Sequence, residues 1–214
     1  MGRRVLLRVL FPPKESRREG RTTDVSMTID IVMGSFSKTF ASNGGFVACN
    51  SPAVKQYLKF YGCSATFSNA LSPVQAATVT KAFEIVQSDR GRDLRWLLMK
   101  RVGQLRNALT AEGLQVMGNP SAIVPVVAGD EALARMASRR LPELGVVANL
   151  VEYPAVAKGN ARFRLQVMPD HTAENVIEAA KRLRAAVDAT QPEYARYLAR
   201  VGTAAQPRRL AVGE

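Results

Sequence analysis

Hydrophobic positions near the start of the chain predict two strands followed by a helix. The apolar run over 29–33 is typical of a short strand buried on both faces, the kind found in a parallel sheet. Gly45–Cys49 predicts a second strand, and the pattern over 51–60 predicts a helix that opens at Ser51-Pro52. Residues 62–72 are dense in small polar side chains, and another helix follows them at once.

Two helices with clear end signals come next. Ser72, Pro73 and Gln75 have the order of a capping box with proline at the first helical position, so this helix is expected to run to about Gln87. The run 89–91 interrupts the pattern. A second helix then places six apolar residues on one face and ends at Gly113: Leu94, Leu97, Leu98, Val102, Leu105 and Leu109. We expect this pair of long helices to connect two domains.

Strands and helices alternate differently in the second half of the chain. Strands are predicted over 122–127, 146–150 and 161–167, and helices over 131–141 and from Thr172 to about Thr190. This order is typical of a small α+β layer, a sheet with helices on one face. The fold class predicted for the whole chain is therefore α/β, with a small C-terminal α+β domain.

The composition of the two ends differs from that of the body. Residues 1–27 combine many charges with Pro12-Pro13 and show no sustained period, so we expect them to be poorly ordered or to lie outside the fold. A targeting segment and a frame-shift product are the alternatives for this stretch. We assign 28–88 to a first domain, 89–190 to the connecting helix and a second domain, and 191–214 to an irregular tail.

Charge and residue usage exclude several classes of function. The net charge is +12, but seven basic against two acidic residues lie in 1–21, aromatic residues make up 7% of the chain, and none interleaves with the basic runs; we therefore expect no nucleic-acid partner. No apolar stretch approaches the roughly 20 residues of a membrane span. Only one histidine, His171, is present. Two cysteines, Cys49 and Cys63, without metal spacing indicate a reducing compartment, so we expect a cytoplasmic protein.

Lys38 carries the most informative candidate chemistry. It follows the first predicted strand directly, in a cluster of small and hydroxylated residues that includes Ser35 and Ser37. A lysine held against apolar neighbours is deprotonated more easily and attacks an aldehyde, whereas hydroxyls beside exposed backbone N–H groups bind an anion such as a phosphate ester. The competing interpretation is an ordinary solvated lysine in a turn.

Seven motifs in order resemble the C-terminal half of the α-oxoamine synthases, pyridoxal phosphate (PLP) enzymes of the fold-type I aminotransferase superfamily. The resemblance covers roughly 28–190. The motifs are Asp30-Ile31, Gly34-Ser35-Phe36-Ser37-Lys38, Gly44-Gly45-Phe46, Phe67-Ser68-Asn69 with Pro73, Ile123-Val124-Pro125-Val126, Pro154-Ala155-Val156 through Gly159 to Arg162 and Arg164, and His171-Thr172. The resemblance implies a partial PLP-transferase fold, with the end of the large-domain sheet in 28–88.

The resemblance also implies roles for five residues. Lys38 resembles the lysine that binds the PLP aldehyde and moves the substrate α-proton, and Ser35 resembles the hydroxyl that binds the phosphate. Ser68 and Asn69 lie where the family reaches the partner subunit's phosphate, which implies a C2 homodimer with a shared active site. Arg164 resembles the arginine that holds the substrate carboxylate, a task suited to a planar guanidinium. Without the family spacing, the serines are ordinary turn or cap residues and the arginines are solvated edge charges.

The implied activity is condensation of an amino acid with an acyl-CoA. A class I/II aminotransferase, which transfers nitrogen to a keto acid, is the first alternative. A non-catalytic fragment that pairs with a separately encoded N-terminal half is the second. In the family, the carboxylate that binds the pyridine nitrogen and the group stacked on the ring lie well before the lysine. We therefore expect this chain alone to hold PLP weakly.

Overall fold

The chain separates into two compact units, Met1–Asp93 and Leu94–Glu214. The computed structural model describes the backbone of residues 29–204 and the side chains of residues 29–201. The prediction of poor order for 1–27 lies outside the described residues, as do residues 205–214 of the predicted tail. The sequence had placed the domain boundary at 88/89, which is close to the division between the units.

The first unit begins with two strands, β1 (Ile31–Ser35) and β2 (Gly45–Cys49), which are antiparallel, with Met33 opposite Val47. The prediction of a parallel strand buried on both faces is therefore wrong. The loop over 36–44 turns the chain back beside β1, which makes the pair antiparallel. Val32 is buried, whereas Met33 is 79% exposed. Alternating residues of a strand face opposite sides of the sheet. In the first unit, a cluster of buried side chains rich in phenylalanine covers one side of the β1–β2 pair.

Helices follow the strands as the end signals indicated. They are α1 (Pro52–Tyr61), the short α2 (Cys63–Thr66), α3 (Pro73–Gln87) and α4 (Asp89–Ala111), of which only α2 was not predicted. Ser72 accepts from the Gln75 backbone N–H at 3.3 Å, and the Gln75 side chain accepts from the Ser72 N–H at 2.9 Å. This reciprocal pair confirms the predicted capping box.

The second unit is a three-stranded antiparallel sheet covered by helices on one face. Its strands are β3 (Ile123–Gly129), β4 (Asn149–Val151) and β5 (Ala161–Gln166), in the order β3-β5-β4, and its helices are α5 (Glu131–Arg140) and α6 (Ala173–Ala204) together with α4 from Leu94 onwards. Phe163 of β5 is 1% exposed and packs in one cluster with residues of all three helices. The predicted α+β layer is confirmed.

Strand β4 is shorter and later than the predicted strand over 146–150. Gly145 has φ of +71°, a left-handed conformation that favours glycine, and it ends a turn in which Val146 N–H donates to Leu141 O at 2.9 Å. Val146 is buried in this turn, and Val147 is exposed. Val146 and Val147, whose apolar side chains predicted an earlier start of the strand, therefore belong to this turn region instead.

Helix α6 corrects the expected irregular tail, because it continues through Pro192 to Ala204. Proline removes one backbone donor from a helix, yet two contacts hold this region. Thr190 is fully buried and donates to Ala186 O at 2.7 Å. Glu193 accepts from Arg140 of α5 at 2.9 Å. Packing against α5 therefore extends the helix beyond the point where its sequence pattern stops. Among the described helices, none is long and apolar enough to cross a membrane.

Asp130→Ala is expected to destabilise the second unit by about 1 kcal/mol through loss of the α5 cap. Asp130 Oδ1 accepts from the backbone N–H groups of Ala132 at 2.8 Å and Leu133 at 3.2 Å. Burial and the Asp130 carboxylate both raise the pKa of Tyr194, so removing the carboxylate lowers that pKa toward its ordinary value. Urea unfolding and a tyrosine titration measure the two effects. Asp170→Ala, at an exposed turn, is the control; equal losses in both variants would contradict the capping role.

Candidate active site

The loop over 36–44 holds Lys38 in a fixed turn between β1 and β2. Phe36 N–H donates to Gly44 O at 2.9 Å, and Ser42 N–H donates back to Phe36 O at 3.0 Å. Ala41 N–H donates to Lys38 O at 3.0 Å, and Ala41 itself has φ of +48°. These backbone hydrogen bonds fix the loop. They set the position of the Lys38 backbone independently of what its side chain contacts.

A cluster of phenylalanines lies beneath this loop. Phe36 and Phe40 are both buried and form an edge-to-face pair with centroids 5.4 Å apart, and Phe83 of α3 lies 4.5 Å from Phe40. Lys38 is midway between these two anchored residues in the sequence, and its side chain is exposed. The buried rings fix the loop from below, which leaves the Lys38 amine on the accessible side.

The Lys38 amine lies beside two serine hydroxyls. Lys38 Nζ donates to Ser37 Oγ at 3.3 Å, the oxygens of Ser35 and Ser37 are 2.7 Å apart, and Ser37 N–H donates to Ser35 Oγ at 3.2 Å. The structure thus brings together an amine and two hydroxyls that present donors to one region. The surroundings of the amine differ from the sequence-based prediction. Lys38 Nζ contacts a hydroxyl and solvent and is not packed against apolar side chains.

Glycines at 34 and 45 permit the close approach of the strands at this point. A Cβ atom at Gly45 would lie 2.3 Å from the carbonyl oxygen of Gly34, and a Cβ atom at Gly34 would lie 2.4 Å from Cε1 of Phe46. Both distances are shorter than real contacts allow. The side-chain-free pair therefore sets the geometry that places Ser35 at the end of β1, next to the loop.

Ser68 and Asn69 lie on an exposed segment between α2 and α3. Ser68 Oγ donates to Ser64 O. The segment reaches the lysine loop a few residues later, because Leu71 lies against Gly44 and Ser42 Oγ donates to Gln75 O at 3.4 Å. Within the first unit, Ser35, Ser37 and Lys38 are joined by hydrogen bonds, and Ser68 and Asn69 lie apart from that group.

Arg164 lies in the second unit, at the centre of its sheet. It is paired with Pro125 of β3 on one side and with Asn149 of β4 on the other. Arg162 is two residues earlier on the same face, and its Nε donates to Asn160 O at 3.2 Å. Phe163 and Leu165 point to the core, as the alternation of the sequence predicted, and both arginines are half-buried on the opposite face.

Two further polar residues are Ser37, in the lysine loop, and His171, just before α6. Ser37 bridges Ser35 and Lys38 although the family pattern assigned it no role; the alternation of hydroxyls at 35 and 37 was the available signal. His171 accepts from Met168 N–H through Nδ1 at 3.3 Å, which suits its predicted place at a helix start. Among residues 29–201, no three His, Cys, Asp or Glu side chains form a group able to hold a metal ion.

The model of the family "aminotransferase class I and II" matches residues 13–183. The chain therefore belongs to the aminotransferase class I and II family. The matched stretch begins and ends somewhat earlier than the predicted 28–190.

Comparison with known proteins shows that the chain is a member of the α-oxoamine synthases, as the motifs predicted. It is 31% identical to 2-amino-3-ketobutyrate coenzyme A ligase of Escherichia coli over 172 residues, which are 80% of this chain and 42% of that protein. It is 35% identical to a putative 8-amino-7-oxononanoate synthase 2 of Mycobacterium tuberculosis over 77% of this chain and 21% of that protein. The chain thus spans less than half the length of these relatives.

Solved structures confirm the predicted partial fold. Serine palmitoyltransferase with PLP as its internal aldimine matches with a TM-score of 0.71 and 26% identity, over 78% of this chain and 42% of the other. Serine palmitoyltransferase of Sphingomonas wittichii matches with a TM-score of 0.70 and 28% identity over the same shares. The antiparallel β1–β2 pair, the long helices and the small α+β unit are therefore parts of a PLP-transferase fold.

Proposed function

We propose that this chain takes part in the PLP-dependent condensation of an amino acid with an acyl-CoA to an α-oxoamine. The observation that carries the proposal is the Lys38 amine beside the hydroxyls of Ser35 and Ser37, at the end of β1. The names of the relatives support the acyl-CoA reaction. We also propose a cytoplasmic location, because the sequence has only two cysteines and they lack metal spacing.

The residues of the lysine loop fit two groups of PLP, its aldehyde and its phosphate. An accessible primary amine suits the aldehyde, and the neighbouring hydroxyls of Ser35 and Ser37 suit the phosphate. Residues 31–83 contain no Asp or Glu, so the carboxylate that the pyridine nitrogen requires has to come from other residues. The fit is therefore to the aldehyde and phosphate ends of the cofactor.

Each candidate residue has a distinct task in the proposed reaction. PLP, when bound, supplies an electron sink for negative charge at the substrate Cα. Lys38 provides the amine that binds the cofactor and, once released, takes and returns the Cα proton. Ser35 holds the phosphate with the help of Ser37, and Arg164 binds the substrate carboxylate through two parallel N–H groups.

We also propose a C2 homodimer in which Ser68 and Asn69 contact the cofactor phosphate of the other subunit. Both residues are exposed, and exposed aromatic side chains lie in α1 and directly after α2: Tyr57, Phe60, Tyr61 and Phe67. An aromatic patch of this kind is typical of a protein interface, because burial of such rings stabilises an assembly.

The proposed reaction is tested by supplying the chain with PLP, glycine and acetyl-CoA and by measuring release of the CoA thiol. We expect thiol release that depends on all three and is lost in Lys38→Ala, because the Cα proton then has no base. A keto acid in place of acetyl-CoA tests the aminotransferase alternative. Transfer of nitrogen to the keto acid without thiol release would contradict the proposal and favour that alternative.

The exposed face of β1–β2 favours a second candidate, a chain that works only with a separate polypeptide. Ile31, Met33 and Val47 lie together on this face and are each at least half exposed. A contiguous apolar strand surface is stabilised when another element covers it. A chain that releases no thiol alone but does so with a separately produced upstream half fits this second candidate.

A further inference from the structure

Ala41, in the lysine loop, has a backbone conformation that residues with a side chain rarely adopt. Its φ is +48°, and among residues 29–204 it is the one residue other than glycine with a positive φ. An L-residue is strained there because its Cβ atom crowds the neighbouring backbone. We propose that Ala41 is a positioning residue whose left-handed conformation keeps the Lys38 amine beside the hydroxyls of Ser35 and Ser37. This role rests on the proposed function, in which these three residues bind the cofactor.

The residues on both sides of Ala41 are held in place by contacts outside the turn. Phe40 is 6% exposed and packs in the phenylalanine cluster beneath the loop. Ser42 N–H donates to Phe36 O at 3.0 Å, and Ser42 Oγ donates to Gln75 O at 3.4 Å. Ala41 therefore joins two anchored residues. A strained conformation persists where the surrounding structure imposes it in this way, and such residues cluster at functional sites.

The turn that ends at Ala41 begins at Lys38. Ala41 N–H donates to Lys38 O at 3.0 Å, which closes residues 38–41 into one turn. A left-handed residue at the end of a turn directs the next N–H group back toward earlier carbonyls, as at the C-terminal end of a helix. Here the next N–H group is that of Ser42, and its acceptor is the carbonyl of Phe36, before Lys38. An extended residue at position 41 would direct this N–H group elsewhere and open the turn that contains Lys38.

The contacts of the Lys38 amine depend on this turn. Lys38 Nζ donates to Ser37 Oγ at 3.3 Å, and Ser37 Oγ lies 2.7 Å from Ser35 Oγ. All three side chains are exposed, so the backbone of the loop, and not packing of the side chains, keeps them together. An open turn would leave the amine accessible but at no fixed distance from the hydroxyls. Capture of a phosphate-bearing aldehyde should therefore suffer, whereas capture of an aldehyde without phosphate should not.

Ala41→Val and Ala41→Asn form a matched pair that separates backbone conformation from side-chain size. Both enlarge an exposed side chain, but a β-branched residue is strongly disfavoured at positive φ, whereas asparagine is enriched there. Each full-length variant is incubated with PLP or with pyridoxal and reduced with borohydride, and the label at Lys38 is quantified relative to that at Lys55. We expect the preference for PLP over pyridoxal, about tenfold in the wild type, to persist in Ala41→Asn. In Ala41→Val it disappears, while the pyridoxal label is unchanged.

Thr39→Val is a second control, because it introduces the same side chain at an exposed loop residue that lacks a positive φ. It should keep the preference for PLP. Far-UV circular dichroism establishes that each variant is folded, and Ala41→Thr, which is β-branched but polar, replaces Ala41→Val if that variant does not fold. A purely structural role of Ala41 would lower the melting temperature or change both labels together, without altering their ratio.

Failure of the positioning role is distinguishable from failure of the proposed function. A preference for PLP that survives in Ala41→Val overturns the positioning role and leaves the assignments of Ser35 and Ser37 intact. An equal loss in Ala41→Asn and Ala41→Val overturns it as well, because side-chain size and not backbone conformation would then decide the result. A wild-type chain without any preference for PLP contradicts the phosphate role of the serines and the positioning role together.

Discussion

Lys38→Ala is expected to abolish specific covalent capture of PLP by the chain. Wild-type chain incubated with PLP and reduced with borohydride should carry the pyridoxyl label mainly at Lys38, because in the proposed site the hydroxyls of Ser35 and Ser37, which lie beside that amine, hold the phosphate. Mass spectrometry of peptides locates and quantifies the label. Reduction is needed because residues 31–83 supply no carboxylate for the pyridine nitrogen, so we expect weak binding and little visible absorbance before reduction.

Lys55→Ala is the matched control, since Lys55 is an exposed lysine of α1 in the same unit. It should leave the label at Lys38 unchanged. Pyridoxal, which has no phosphate, should label Lys38 about tenfold less than PLP does if the serines hold the phosphate. An even distribution of label over the exposed lysines, unaltered by Lys38→Ala, would show that the loop is no PLP site. The unreduced wild-type chain could instead show strong absorbance with PLP that is lost in Lys38→Ala. That result would contradict the expected weak binding of PLP but not the assignment of Lys38.

The parts of the fold that follow from local chemistry were predictable from sequence. The helix start at Ser72 depends on residues within three positions of one another, and α3 runs over the range that the pattern gave. The helix break lies at Ser88, one residue before the predicted run 89–91, and it is local as well: Gly91 in the first turn of α4 permits it, since a Cβ atom there would lie 2.2 Å from Ile85 O. The burial of β5 followed from strict alternation, which is a property of the strand itself.

Features that depend on distant contacts were not predictable in the same way. The apolar run of β1 is equally compatible with a parallel and an antiparallel neighbour, and the loop between β1 and β2 decides the direction. Helix α6 passes Pro192 in a region that packs against α5, where Thr190 is fully buried and Arg140 contacts Glu193. In the candidate site, the sequence proposed Lys38 and Ser35 as candidates, but the bridging position of Ser37 depends on side-chain geometry. The family resemblance, and not the local pattern, supplied the assignments of Ser68, Asn69 and Arg164.

Phe163→Ala is expected to have the largest effect on stability, because Phe163 is the largest of the fully buried side chains of the described residues. Truncation of a buried phenylalanine costs about 3–5 kcal/mol in lost burial and cavity formation. With a urea slope of about 2 kcal/mol/M, the unfolding midpoint falls by roughly 1.5–2.5 M. Far-UV circular dichroism and the fluorescence of Trp96, the single tryptophan, follow the transition of the second unit.

Val147→Ala provides the control, since Val147 is an apolar side chain of the same unit that is 88% exposed. Its cost should stay within about 0.5 kcal/mol, as for other surface substitutions. Full stability of Phe163→Ala would contradict the assignment of the sheet core and, with it, the orientation of both arginines.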